Sequence, residues 1–456
     1  MTGIAPEQSP GSDDCSPRAL LLLGFPLCLS SAVGVISSLA DTVVMGWSSS
    51  SAFAGVAMAA AVFLVINGIP VSVAQSYQIR ASQAVGAEAA DTNLALAYQS
   101  ARRLLTIVSI ACLALLLIGA WPLMHFLIAG DATAAEQGTF YLIARGPALL
   151  LAVPAQLRTM TFAAHKQTMR TLQYVLITAA TNVALDILLV IGLGLGALGN
   201  GLATLVAAAV GNYIVRRAWR CSNFAHLADA PASDMSRRSS EAAIMWRLSH
   251  PLMLAYVLDY AGTLLMFAFL RHSESSDIAG MRLAYTLMMC MFGLLMGYAT
   301  AMQILLSRNM GIGRRAQHRQ ATSSGLVVLI ALSGIGAVLL ITLTRRMLEL
   351  LTNIEPVRNV AAPAMLIVGL SLPIMGLSLV FTALVRSRGA TNRDFQTNTL
   401  AVWAVQLPLT VVLFTAHWGP LSIFYGLAAY WLARCLFLAI AAFAPAFADS
   451  RSRVAA

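Results

Sequence analysis

A chain of 456 residues that is 59% apolar and 11% charged, with mean hydropathy +0.77, lies outside the range of soluble globular domains. Its net charge of +10 would suit nucleic acid, but 23 of the 29 Lys and Arg fall on alternate connections between apolar stretches, so the charge reports topology. No nucleic-acid partner is expected, and anionic lipid headgroups are the expected contact.

Residues 1–18 are polar and read as a tail, with no cleavable signal peptide before the first apolar run. Twelve runs of membrane-spanning length follow: 19–46, 52–76, 104–128, 139–160, 172–193, 198–216, 247–270, 279–306, 324–344, 360–384, 398–416 and 419–443. Continuous apolar runs exclude the alternating pattern of a membrane β-barrel. The fold class is therefore an all-α membrane protein. The basic bias places both termini in the cytoplasm of a cell whose plasma (inner) membrane the chain crosses. Six cysteines without a C-x-x-C pair read as free thiols, and seven histidines show no metal-ligand spacing.

Offsetting the sequence by 225 residues reveals a repeat. Pro26-Leu27 returns as Pro251-Leu252, and Gln78, Ser82 and Gly86 return as Gln303, Ser307 and Gly311. Gly201-Leu202-Ala203 returns as Gly426-Leu427-Ala428. The expected organisation is a lobe of six spans over 19–220, a flexible cytoplasmic linker over 221–243, a second lobe over 244–445 and a tail over 446–456. An even number of spans per lobe puts the pseudo-axis along the membrane normal.

Polar groups inside the apolar runs mark the candidate site. In the fifth run, Asn182 and Asp186 stand one helical turn apart and share a face. Asp41 lies late in the first run, Tyr141 early in the fourth and Thr204 early in the sixth, all at similar depth. Intramembrane acids are costly and mark ion or substrate paths. A buried carboxylate pair accepts a proton or Na⁺ to relieve its repulsion, with Asn182, Tyr141 and Thr204 as donors or oxygen ligands. Na⁺ would use Asp41, Asn182, Asp186 and Thr204. Pro26 removes a backbone hydrogen bond and offers a hinge. The plainer readings are an interfacial cap for Asp41, helix packing for Thr204 and Tyr141, and a salt bridge from Arg145, one turn after Tyr141. In the second lobe Asp259 either pairs with Arg282 or lines water. Met289 and Met296, in a methionine-rich run, suit an adaptable cavity.

These residues resemble the multidrug and toxic compound extrusion (MATE) family. The likeness rests on Pro26 with Asp41-Thr42 and Gly46, Gln83-Ala84-x-Gly86-Ala87, Asn182-x-x-x-Asp186, and Gly196-Ala197-x-Gly199-x-Gly201-x-Ala203-Thr204. It implies two six-helix bundles around a central cavity and export by alternating access, with no cofactor beyond the coupling ion, H⁺ or Na⁺. The set Asp41, Tyr141, Asn182, Asp186 and Thr204 is similar to the cation site of the DinF-like branch, with bending at Pro26. The tenth-helix acid of the other branch is absent, with Met375 near its place. Asp259, lacking that acid and an Asn one turn away, is therefore assigned to the substrate cavity beside Met289 and Met296.

The function expected is a cation-coupled antiporter, a proton favoured, exporting amphipathic organic compounds as a monomer. A lipid-linked oligosaccharide flippase of the same superfamily is the alternative. An intramembrane enzyme would need a metal cluster or a nucleophile with its base at membrane depth, and neither is visible.

Overall fold

The computed structural model describes residues 15–46, 50–87, 90–128, 130–228 and 235–443. Its helices in chain order are α1 (Pro17–Gly46), α2 (Ser50–Val85), α3 (Ala90–Leu127), α4 (Ala132–Arg145), α5 (Ala148–Ala164), α6 (Thr168–Asp186) and α7 (Gly196–Arg220). The second half continues with α8 (Met235–Ala268), α9 (Ser275–Ile312), α10 (Arg315–Leu351), α11 (Glu355–Ser387), α12 (Thr391–Leu400), α13 (Leu407–Thr415) and α14 (Ser422–Phe443). Among the described residues, eleven helical stretches are long and apolar enough to cross a membrane, and the pair α4–α5 makes a twelfth.

The fourth span differs from the single helix expected over 139–160. It breaks at Gly146-Pro147 and bends by 44°. Pro147 has no N–H to offer the Ile143 carbonyl, so one helical hydrogen bond is missing at the joint, while Gly146 keeps helical backbone. Asp131 caps the start of α4, accepting from the Ala134 N–H at 2.9 Å and the Ser51 hydroxyl at 3.0 Å. Those donors hold its carboxyl below the ordinary value. The fifth and eleventh spans each contain a π-helical turn, Ile187–Gly192 after α6 and Ala401–Gln406 between α12 and α13. In α1, by contrast, the helix runs unbroken through Pro26.

The linker is shorter than expected. Helix α8 begins at Met235, and Glu241, assigned to a flexible segment, is buried and clamps Arg80 of α2 in two hydrogen bonds of 2.7 and 2.8 Å. Residues 229–234 lie outside the described set, as do both tails' ends.

Helix α1 belongs to both halves. Cys15, Leu20, Leu23 and Leu27 join the apolar core built by α9, α10 and α11, whereas Val44 and Met45 join the core of α2, α3 and α4. The first half therefore does not own its first helix outright. Contacts between the halves concentrate at the end where the chain enters α1 and passes from α7 to α8. There the Gln83 amide donates to the Ser387 carbonyl at 2.8 Å, Arg308 to the Ala164 carbonyl at 3.1 Å, and Ser324 to the Cys15 carbonyl at 2.6 Å. The repeat partners Gly86 and Gly311 meet at this seam. A Cβ on Gly86 would lie 2.2 Å from the Arg308 carbonyl oxygen, and one on Gly311 would lie 2.2 Å from that of Gln83. Only glycine permits such backbone approach.

Candidate functional site

Three of the five residues expected in the first half meet directly. The Asn182 side-chain amide donates to Asp41 at 2.6 Å and to Asp186 at 2.9 Å, so one NH₂ group bridges both carboxylates. The i, i+4 spacing puts Asn182 below Asp186 on α6, and the packing of α1 against α6 brings Asp41 to the same level. All three are buried, Asp186 completely. The π-helical turn begins at the next residue, where such irregular turns often accompany functional sites.

Tyr141 enters through an intermediary. Its hydroxyl is hydrogen-bonded by Arg145, whose Nη1 stands 3.7 Å from Asp41 Oδ2. The guanidinium also lies over the Phe63 ring at 4.4 Å and over the Tyr141 ring at 5.4 Å. Arg145, which the sequence offers as a salt-bridge partner one turn after Tyr141, is thus part of the site. Thr204 makes no hydrogen bond to the acids: its hydroxyl donates to the Asn200 carbonyl at 3.3 Å, one turn back on α7. The four residues proposed for Na⁺ therefore do not converge as oxygen ligands. Asn182 presents N–H groups to the acids, and its own Oδ1 is buried without a partner.

Asn200 was missed in the sequence. It is fully buried with both carboxamide atoms unpaired, yet it sits among glycines, where a small polar residue reads as a turn.

The second half corrects a larger omission. Asp259 does have an amide partner: Asn398 of α12 donates to its carboxylate, and the Tyr430 hydroxyl donates to Asn398 Oδ1 at 2.8 Å. From Tyr430 the network runs through Arg434 at 3.0 Å to Asp394 at 3.3 Å, and Asp394 is also bonded by Arg386 at 2.7 Å. Asp394 is 1% exposed and Arg434 6%. Asp259 is therefore not isolated, and Asp394 is a second deeply buried acid in the same half. Arg282, its other expected partner, is instead exposed, with its guanidinium over Phe267. Met289 and Met296 are half-buried and pack on the edge of the second-half core. Met375 is fully buried in it.

Among the described residues no cluster of three or more His, Cys, Asp or Glu forms a metal site. No curated protein sequence matches the chain. Solved structures match along its length. The eukaryotic MATE transporter AtDTX14 superposes with a TM-score of 0.85 at 14% identity, covering 96% of this chain and 97% of that one. The Vibrio cholerae MATE transporter VcmN in its bent form gives 0.81 at 16% identity, covering 95% and 98%. An outward-facing multidrug resistance MATE family transporter gives 0.82 at 15%, covering 96% of each. At such identities the likeness establishes the fold. The family follows from the sequence, because the MatE family model matches residues 26–188 and again residues 251–412. The second match begins 225 residues after the first, at Pro251 after Pro26, which is the spacing of the internal repeat. With two copies of that unit covering most of its length, the chain belongs to the MatE family of membrane transporters.

Proposed function

We propose that this transporter is a proton-driven antiporter that exports amphipathic organic compounds by alternating access, with both termini cytoplasmic and the DinF-like branch as its nearest relation. The observation that carries this reading is the acid pair shared between α1 and α6, on a helix whose other end lies in the opposite half. Two buried carboxylates one amide apart cannot stand doubly charged cheaply, so the pair takes up a cation. Asp41 connects that event to α1, and α1 connects it to the second half. Backbone approaches backbone there at Gly297, whose Cβ would fall against the Cys28 backbone. Shifting α1 at Pro26, where the Leu22 carbonyl lacks its helical N–H, disturbs that seam and changes which side opens. With the basic residues cytoplasmic, the seam of inter-half contacts closes the cytoplasmic side.

The test is transport in proteoliposomes holding the purified protein. An imposed pH gradient is expected to drive accumulation of a fluorescent organic cation, and collapsing the gradient with a protonophore is expected to stop it. Accumulation that ignores the pH gradient overturns the reading.

Asp259, Met289 and Met296 are assigned to the substrate path. A carboxylate at a low-dielectric cavity wall attracts organic cations strongly. Asp259→Asn is expected to weaken export of cationic compounds while neutral ones are carried as before, in the same assay. An equal loss for both classes would move Asp259 out of the cavity and into the coupling machinery.

A further inference from the structure

We propose that Arg145 is a built-in countercation that fits the first-half acid site to a proton and keeps Na⁺ out of it. This rests on reading Asp41 and Asp186 as the coupling acids.

The geometry shows what each carboxylate oxygen already faces. Asp41 Oδ1 and Asp186 Oδ2 both accept from the Asn182 amide, at 2.6 and 2.9 Å. Asp41 Oδ2 faces Arg145 Nη1 at 3.7 Å. Asp186 Oδ1 alone is buried without a partner. A hard metal cation needs several oxygens at close range, and it cannot sit where N–H hydrogens point. A proton needs one lone pair, and Asp186 Oδ1 supplies one.

The guanidinium is held there by more than the acid. Phe63 of α2 lies under it at 4.4 Å, and Tyr141 binds it by its hydroxyl. The Arg145 side chain is about one-fifth exposed, so its field acts in a largely water-excluded space. The charged groups around the pair are Asp41 from α1, Arg145 from α4 and Asp186 from α6. Along this stretch α7 offers only the neutral Asn200 and Thr204, and the turn after Asp186, Ile187–Gly192, is apolar. Two ionised acids and one guanidinium sum to a single negative charge, which one proton neutralises. The guanidinium opposes either cation by the same charge, but a proton forms a full O–H bond to one oxygen, whereas Na⁺ relies on several oxygens, and here three of the four carboxylate oxygens already face N–H donors.

The experiment measures ²²Na⁺ binding to the purified transporter by equilibrium dialysis at constant pH, which does not depend on transport. Wild-type protein is expected to show no saturable binding. Arg145→Gln is expected to bind ²²Na⁺ saturably, with affinity raised on the order of tenfold or more, as expected from removing an adjacent like charge. Adding Asp41→Asn to that variant is expected to abolish the binding. Arg145→Lys, which keeps the charge, is expected to stay blind to Na⁺. Saturable binding by the wild type that Asp41→Asn removes overturns the proposal, even if Arg145→Gln fails to fold. So does a monodisperse, folded Arg145→Gln that binds no Na⁺. Failure of the antiporter reading itself looks different: pH-driven transport that survives Asp186→Asn, with the ²²Na⁺ results unchanged.

Discussion

Asp186→Asn is expected to reduce pH-driven efflux to the level of empty vesicles while leaving the protein folded. The amide copies the shape of the carboxylate and can keep contact with Asn182, but it neither takes up nor releases a proton near neutral pH. Asp186 makes no ion pair among the described residues and leaves one oxygen unpaired, so removing its charge removes a desolvation cost without stranding a partner. Its melting temperature in detergent should therefore hold or rise. Asp41→Asn is expected to stop efflux as well, but with a lower melting temperature, because Arg145 loses the carboxylate 3.7 Å away. This split separates two acids that share a single amide. Full pH-driven efflux by either variant would falsify the role given to that residue.

Asp394→Ala is expected to be the most destabilising change in the second half, costing about 3–5 kcal/mol, the range for removing one member of a buried ion pair. Two arginines depend on this carboxylate, Arg386 at 2.7 Å and Arg434 at 3.3 Å, and the network reaches Asp259 through Tyr430 and Asn398. Stranding one buried guanidinium, Arg434, and one half-buried, Arg386, is the source of the cost. Asp394→Asn should fall between, since it keeps the acceptor oxygen and loses the charge. Adding Arg434→Met to Asp394→Ala should recover part of the loss by removing one orphaned charge. Thermal unfolding followed with a thiol-reactive dye suits the measurement, because Cys15, Cys112 and Cys435 are buried and become reactive on unfolding. A melting temperature for Asp394→Ala equal to that of the wild type would show that the pairings contribute nothing.

The helices were legible in the sequence because only helices and closed barrels satisfy the backbone in lipid, and continuous apolar runs exclude the barrel. Asp41, Asn182 and Asp186 were legible for the complementary reason that each interrupts such a run at a cost. Asp394 was not, because Thr391 to Thr397 is polar apart from Phe395 and carries Arg393, so it reads as a cytoplasmic turn, and Asn398 stands at the very start of the eleventh run, where a polar residue is ordinary. Arg386 is only eight residues from Asp394, but the partners that join Asp394 and Asn398 into one network, Arg434 and Tyr430 of α14 and Asp259 of α8, are 32 to 139 residues away, and no local pattern announces such pairing. Arg434 was hidden by the charge count itself, which treats every arginine near a span's end as a topological marker. The break at Gly146-Pro147 had a local signal, Arg-Gly-Pro, that the apolar residues on either side outweighed. The π-helical turns had none, since one added residue in a turn leaves the hydrophobic pattern nearly unchanged.

The seam at Gly86 and Gly311 bears on what this transporter can carry. At the two glycines backbone meets backbone, so that part of the seam freezes few rotamers on closing, and the side chains that must let go on opening are those of Gln83, Arg308 and Ser324. A latch of that kind resembles two flat plates more than a key in a lock. A closure made at Gly86 and Gly311 reads no side chain of the cargo, which allows one gate to serve cargoes of unlike shape.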